Sequence, residues 1–100
     1  MEVKFRTNTL EKQYRESKEA IKAYGEQVGK KFIERVNIIK AAKSPDELLK
    51  IPTLRCHPLK GKRAGEWAIK LTGFYRLIFT LEGDKPKIVR IEDISKHYED

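Results

Sequence analysis

Apolar positions recur at helical spacing in the first half of the chain and at every second residue in the second half. Glu2 to Arg6 alternates, with Val3 and Phe5 on one face, which predicts a short first strand. Leu10, Tyr14, Ile21 and Tyr24 then form a helical stripe up to Gly25, with Asn8 as N-cap and Glu11 as the reciprocating acid. A second helix is expected from about Glu26 to Ala42, with Val28, Phe32, Val36 and Ile39 on its apolar face. The two helices are expected to form an antiparallel hairpin. Their other faces interleave Lys12, Arg15, Lys18, Lys22, Lys30, Lys31 and Arg35 with Glu11, Glu16, Glu19, Glu26 and Glu34, which reads as a solvated surface with local ion pairs.

Ser44-Pro45-Asp46-Glu47 is a helix start, with Ser44 as cap, Pro45 at the first helical position and Glu47 completing a capping box. Ile51-Pro52 ends that short helix, because a residue before proline is pushed out of helical geometry. The rest reads as strands. One lies around Leu54 to Leu59; another carries Trp67, Ile69 and Leu71 in alternation. After a Thr72-Gly73 turn, Tyr75, Leu77, Phe79 and Leu81 alternate in a third. The last runs from Lys87 to Ile94, after a turn at Glu82-Gly83-Asp84. Trp67 is in phase with Ile69 and Leu71 and reads as core. This order predicts an α+β fold in one domain spanning residues 1–100. An N-terminal strand, a helical hairpin and a short helix pack on an antiparallel-dominated sheet of about four strands.

Composition narrows the class. With 39% hydrophobic and 37% charged residues among 100, the chain is neither disordered nor membrane-bound. No apolar run approaches the ~20 residues of a membrane helix, and no signal-peptide core precedes the first strand, so a cytoplasmic location is expected. Cys56 is the only cysteine, which excludes an internal disulfide and a thiolate metal cluster. His57 and His97 are 40 positions apart and offer no zinc spacing; no glycine pattern forms a phosphate loop. Neither metal nor cofactor is expected.

Charge is concentrated where the strands begin. Between Arg55 and Arg76, the cations Arg55, Lys60, Lys62, Arg63, Lys70 and Arg76 face the single acid Glu66, in a chain whose net charge is +7. Such a segment fits a polyanionic partner, because each phosphate contact releases condensed counterions. Arg76 falls mid-strand, where its guanidinium is either paired with a carboxylate or aimed at a bound anion.

The same stretch carries a resemblance. HPLKG from His57, the R-x-G-x-W of Arg63 to Trp67, and YRLIF from Tyr75 together resemble the HigB-type killer toxins of the RelE/ParE superfamily. Members of that family cut messenger RNA in the ribosomal decoding site and are neutralised by a cognate antitoxin. The resemblance implies a ribosome-dependent endoribonuclease and an antitoxin of the HigA type with a helix-turn-helix domain. Operator DNA would be met only through that antitoxin. Cleavage by attack of a ribose 2′-hydroxyl on the neighbouring phosphate requires a base, positive charge on the phosphorane and an acid for the leaving oxygen. By motif position, Arg76 and Lys60 would stabilise the phosphorane, His57 and His97 would transfer protons, and Asp93 would orient a neighbour or act as base. Lys62, Arg63 and Arg55 would bind the substrate backbone, and Tyr98 would stack on a base. The family commonly ends in D-Y-H, whereas this chain reads Asp93-Ile94-Ser95-Lys96-His97-Tyr98. Two other readings share the scaffold or the charge: a ParE-like toxin that inhibits DNA gyrase by protein contact, and a non-catalytic nucleic-acid-binding module.

Overall fold

The computed structural model describes residues 1–83 and 88–96. In chain order these are β1 (Glu2–Phe5), α1 (Asn8–Arg15), α2 (Ser17–Tyr24), α3 (Glu26–Ala41), α4 (Pro45–Leu49), β2 (His57–Pro58), β3 (Glu66–Lys70), β4 (Tyr75–Glu82) and β5 (Ile88–Lys96). Two 3-10 turns, Pro52–Leu54 and Gly61–Arg63, flank β2. The expected α+β architecture is present, with five strands in the sheet.

Two helices stand where one was expected before Gly25. Thr7, not Asn8, is the cap: its extended backbone turns the hydroxyl oxygen onto the Leu10 N–H at 3.1 Å. Glu11 is drawn to Arg15 instead, at 2.7 Å. Glu16 leaves helical geometry at φ −123 and ψ 102. The apolar stripe leaves room for the break, since it jumps from Tyr14 to Ile21 and Arg15 and Glu16 are exposed, with no burial to hold Glu16 helical.

The hairpin of α2 and α3 depends on two glycines. Gly25, at φ +88, makes the corner in a conformation that side chains disfavour. Gly29 lies against the neighbouring backbone so closely that a Cβ there would sit 2.8 Å from the Ile21 nitrogen. At the start of α4, Pro45 occupies the first turn as expected, but the Glu47 carboxylate accepts from the Lys43 N–H at 3.1 Å and Ser44 makes no side-chain cap bond.

The sheet order is β1-β5-β4-β3-β2, with β1 parallel to β5 and every other pair antiparallel. Instead of a strand around Leu54 to Leu59, the chain makes a 3-10 turn, passes Arg55 in the left-handed region at φ 47, and pairs with β3 over two residues only. One sheet face carries Ile69, Leu77, Phe79, Val89 and Ile91 against Phe32, Val36 and Ile39 of α3 and Leu48 of α4 in the main core. Trp67 joins this core half-buried, its ring nearly parallel to Phe79 at 6.3 Å. The opposite face carries the small cluster Leu59, Ala68 and Ile78. Phe74 lies in the bend before β4 and is exposed.

Candidate active site

Register decides which polar side chains share the face opposite the helices. His57 pairs with Ala68, Ala68 with Ile78, and Ile78 with Asp93, so these four make one cross-strand row. Residues directly opposite in a sheet point to the same face. The next row is Lys70, Arg76 and Ser95. Arg76 is therefore two residues along β4 from the row of His57, on the same face. A bulge at Glu92, between the Phe79–Ile91 and Ile78–Asp93 pairs, shifts β5 by one residue and keeps Asp93 beside Ile78.

Arg76 is only 6% exposed. Its Nη1 donates to the carbonyl oxygens of Thr72 at 2.8 Å, Tyr75 at 3.0 Å and Gly73 at 3.3 Å. The guanidinium thus closes the β3–β4 turn beneath it and is held in one orientation. That is a structural duty, and it also fixes a permanent positive charge on this face, in the row of Lys70.

His57 is half-buried, and its Nδ1 lies 2.7 Å from the Arg55 carbonyl oxygen. A carbonyl only accepts, so Nδ1 carries the hydrogen and, in the neutral ring, Nε2 carries the lone pair. The group that orients His57 is therefore a backbone carbonyl two residues earlier. Asp93 lies three strand spacings away, about 14 Å between backbones at ~4.8 Å per strand, and does not reach the imidazole. Its carboxylate is instead close enough to the Tyr24 phenol that burial first, and this charge second, raise the phenol above its usual range; the hydrogen bond to Gln13 opposes them.

The remaining expected contacts fall into two groups. Lys60, extended and exposed, precedes the turn Gly61–Arg63, and Lys62 is exposed within it. Arg63 is tied by Nε to Glu66 at 2.7 Å, so the lone acid of the basic stretch offsets one of its cations. Arg55 is exposed on the left-handed corner before β2. His97 and Tyr98 lie outside the described residues, as do Asp84 and Lys87 of the expected last turn and strand. Cys56 is half-buried and burial pushes its thiol up to about 11, which removes it as a nucleophile at neutral pH. No group of three metal-ligating side chains comes together among the described residues. No helix there is long and apolar enough to cross a membrane.

Comparison with known proteins identifies this architecture. A family model described as the RelE-like toxin HigB of type II toxin-antitoxin systems matches residues 3–92 and so stops one residue short of Asp93. No match was found among curated proteins. Among solved structures, the YoeB/ParE toxin from Agrobacterium tumefaciens superposes with a TM-score of 0.62 at 18% identity, covering 98% of this chain and 100% of that one. The YoeB-YefM complex from Staphylococcus aureus gives 0.63 at 16% identity, covering 98% of each chain. YafQ from E. coli strain BL21(DE3) gives 0.61 at 15% identity, covering 95% and 91%. These likenesses agree in fold, and the family match spans nearly the whole chain: the protein belongs to the RelE-like HigB toxins of type II toxin-antitoxin systems.

Proposed function

We propose that this toxin is a metal-independent, ribosome-dependent endoribonuclease that cleaves translated messenger RNA through attack of a ribose 2′-hydroxyl. The observation that carries the reading is the placement of His57 and Arg76 in adjacent rows of one sheet face, the face opposite the helices. One supplies a proton-transfer group of fixed tautomer, the other a fixed cation, and two strand spacings with a two-residue offset set their backbones about 12 Å apart, a span that side chains of this length can bridge to one phosphodiester.

In this mechanism Nε2 of His57 exchanges the proton with the attacking or leaving oxygen. Arg76 and the mobile ammonium of Lys60 neutralise the phosphorane. Lys62, Arg63 and Arg55 hold the flanking backbone. Asp93, remote from His57, acts on the far side of the substrate from the imidazole, with His97 and Tyr98 as the further proton-transfer and base-stacking groups. The ribosome completes substrate positioning, so cleavage of free RNA is slow.

The partner that restrains this activity is an antitoxin, in line with the YoeB-YefM assembly among the similar structures. A HigA-type helix-turn-helix protein fits the family, and would carry the toxin to operator DNA in the cytoplasm. Primer extension on a reporter messenger RNA, with and without translating ribosomes, tests the reading. Discrete cuts that require ribosomes are expected; growth arrest with intact message would overturn it and point to gyrase.

A further inference from the structure

A second group of cations lies beside the row of Arg76 and Lys70. They line an open cavity of about 470 Å³ whose walls come from three separate parts of the chain: Lys31 and Arg35 of α3, Thr53 and Arg55 around the 3-10 turn, and Lys70 of β3. No carboxylate lines it among the described residues. The nearest acid, Glu34, accepts from Arg35 Nη1 at 2.6 Å and lies 3.8 Å from Lys31 Nζ. Glu34 thus serves both Lys31 and Arg35, and Arg55 has no ion pair among the described residues.

Arg35 is the unusual member. It is 7% exposed, at the margin of the buried face of α3 beside Phe32 and Ile39, and its Nε donates to the Lys70 carbonyl at 3.2 Å. The guanidinium plane is fixed by these two bonds. Among the described residues Nη2 has no hydrogen-bond partner, and it is not sealed from solvent either. A nearly buried guanidinium gains from an acceptor at its remaining donor position, and an anionic oxygen fills it with charge assistance. Arg55, on the opposite wall, is the one non-glycine residue with positive φ among the described residues, and side chains in that region cluster at functional sites. Planar guanidinium forks, an ammonium and the Thr53 hydroxyl make a donor set suited to tetrahedral phosphate oxygens.

We propose that this cavity binds a backbone phosphate of the RNA, outside the linkage that is cleaved. The choice of RNA rests on the endoribonuclease reading; the phosphate chemistry does not. Continuity favours a nucleic-acid strand over a peptide. The Arg55 carbonyl holds His57, and Lys70 is the cross-strand neighbour of Arg76, so the cavity adjoins the residues of the candidate site at the end of β3. Arg35 thereby extends the RNA-contacting surface from the sheet onto α3.

Fluorescence anisotropy with a labelled ten-nucleotide 2′-O-methyl oligouridylate tests this on the full chain without ribosomes. The probe lacks the nucleophile and cannot be cut, so its binding is independent of whether the toxin is a nuclease. Lys31→Gln with Arg55→Asn, the latter tolerant of the left-handed corner, is expected to weaken binding about tenfold or more, as loss of charge-assisted bonds implies. The slope of log affinity against log salt should shrink by about 0.7, one phosphate on a single strand. Lys18→Gln with Lys22→Gln removes the same charge from exposed positions on α2 and should change affinity less than about twofold. Equal loss in both pairs, or none in the first, would overturn the proposal. So would a hexaglutamate peptide that loses binding in the first pair while the oligonucleotide does not. Melting temperature checks the fold, and Lys31→Gln alone carries the comparison if the double variant unfolds.

Discussion

Replacing Arg76 by alanine removes the donor that closes the β3–β4 turn, and the consequence for stability follows from its contacts. Nη1 has two hydrogens and three carbonyl acceptors at 2.8, 3.0 and 3.3 Å, so at most two full hydrogen bonds operate at once. Each is assisted by the guanidinium charge and contributes ~1.5–3 kcal/mol. Thr72 is half-buried and Gly73 exposed, so their carbonyls regain water when the arginine is lost, and the low end applies. The expected loss is about 3 kcal/mol, out of the ~5–15 kcal/mol typical of a whole domain. For a chain of this size that lowers the melting temperature by roughly 12–24 °C. Urea unfolding followed by circular dichroism measures it as a lower midpoint at unchanged slope. An alanine variant as stable as the wild type to within ~0.5 kcal/mol would refute the claim that Nη1 holds the turn. The size of the effect also governs how function is tested. Loss of activity in Arg76→Ala would mix unfolding with lost chemistry, so Arg76→Lys, which keeps the charge, belongs beside it.

Other outcomes follow from single contacts. Gly29→Ala should destabilise by about 1–2 kcal/mol: the new Cβ would press on the backbone of Ala20 and Ile21 at 2.8–3.0 Å, where a rigid neighbour puts the overpacking at the upper ~2–3 kcal/mol of its range, against the ~1 kcal/mol gained in helix propensity. A melting temperature at or above that of the wild type would contradict the close helix approach. Cys56 should react with iodoacetamide negligibly at pH 7.5 and about tenfold faster for each pH unit up to about 11; full labelling within minutes at neutral pH would show the thiol is not buried. Cys56 and Tyr24 both lose protons less readily in the fold, so stability is full below the unfolded thiol's value near 9 and falls as pH rises through about 11. Equilibrium unfolding between pH 8 and 11 reads that decline, and a rise would reverse the assignment.

Much of the fold was legible because periodicity and punctuation agree. Phe32, Val36 and Ile39 mark the buried face of α3, and Gly25 and Pro52 stop the elements that precede them. What misled was competition between equally good local signals. Thr7 and Asn8 both suit a cap, and only the path of the chain out of β1 selects the first. Leu54 to Leu59 has strand-forming residues, but Leu54 is drawn into the core from a 3-10 turn, leaving two residues to pair. The candidate site was legible in residue types and not in neighbours. Register puts His57 and Asp93 in one row yet three strands apart, and the orienting partner of His57 is a carbonyl, which no side-chain motif reveals. Arg35 read as one more solvated cation on α3, because the carbonyl that holds its Nε belongs to Lys70, far away in sequence.

The central claim is that His57 transfers a proton through Nε2 in a ribosome-dependent cleavage. Single-turnover cleavage of a reporter message on programmed ribosomes tests it most directly, comparing the wild type with His57→Asn, whose side-chain amide can keep the bond to the Arg55 carbonyl. The account predicts unchanged melting temperature and ribosome binding, with the cleavage rate lowered ~10²–10⁴-fold, the usual contribution of a general acid or base. A His57→Asn toxin that cuts within about threefold of the wild-type rate would contradict it.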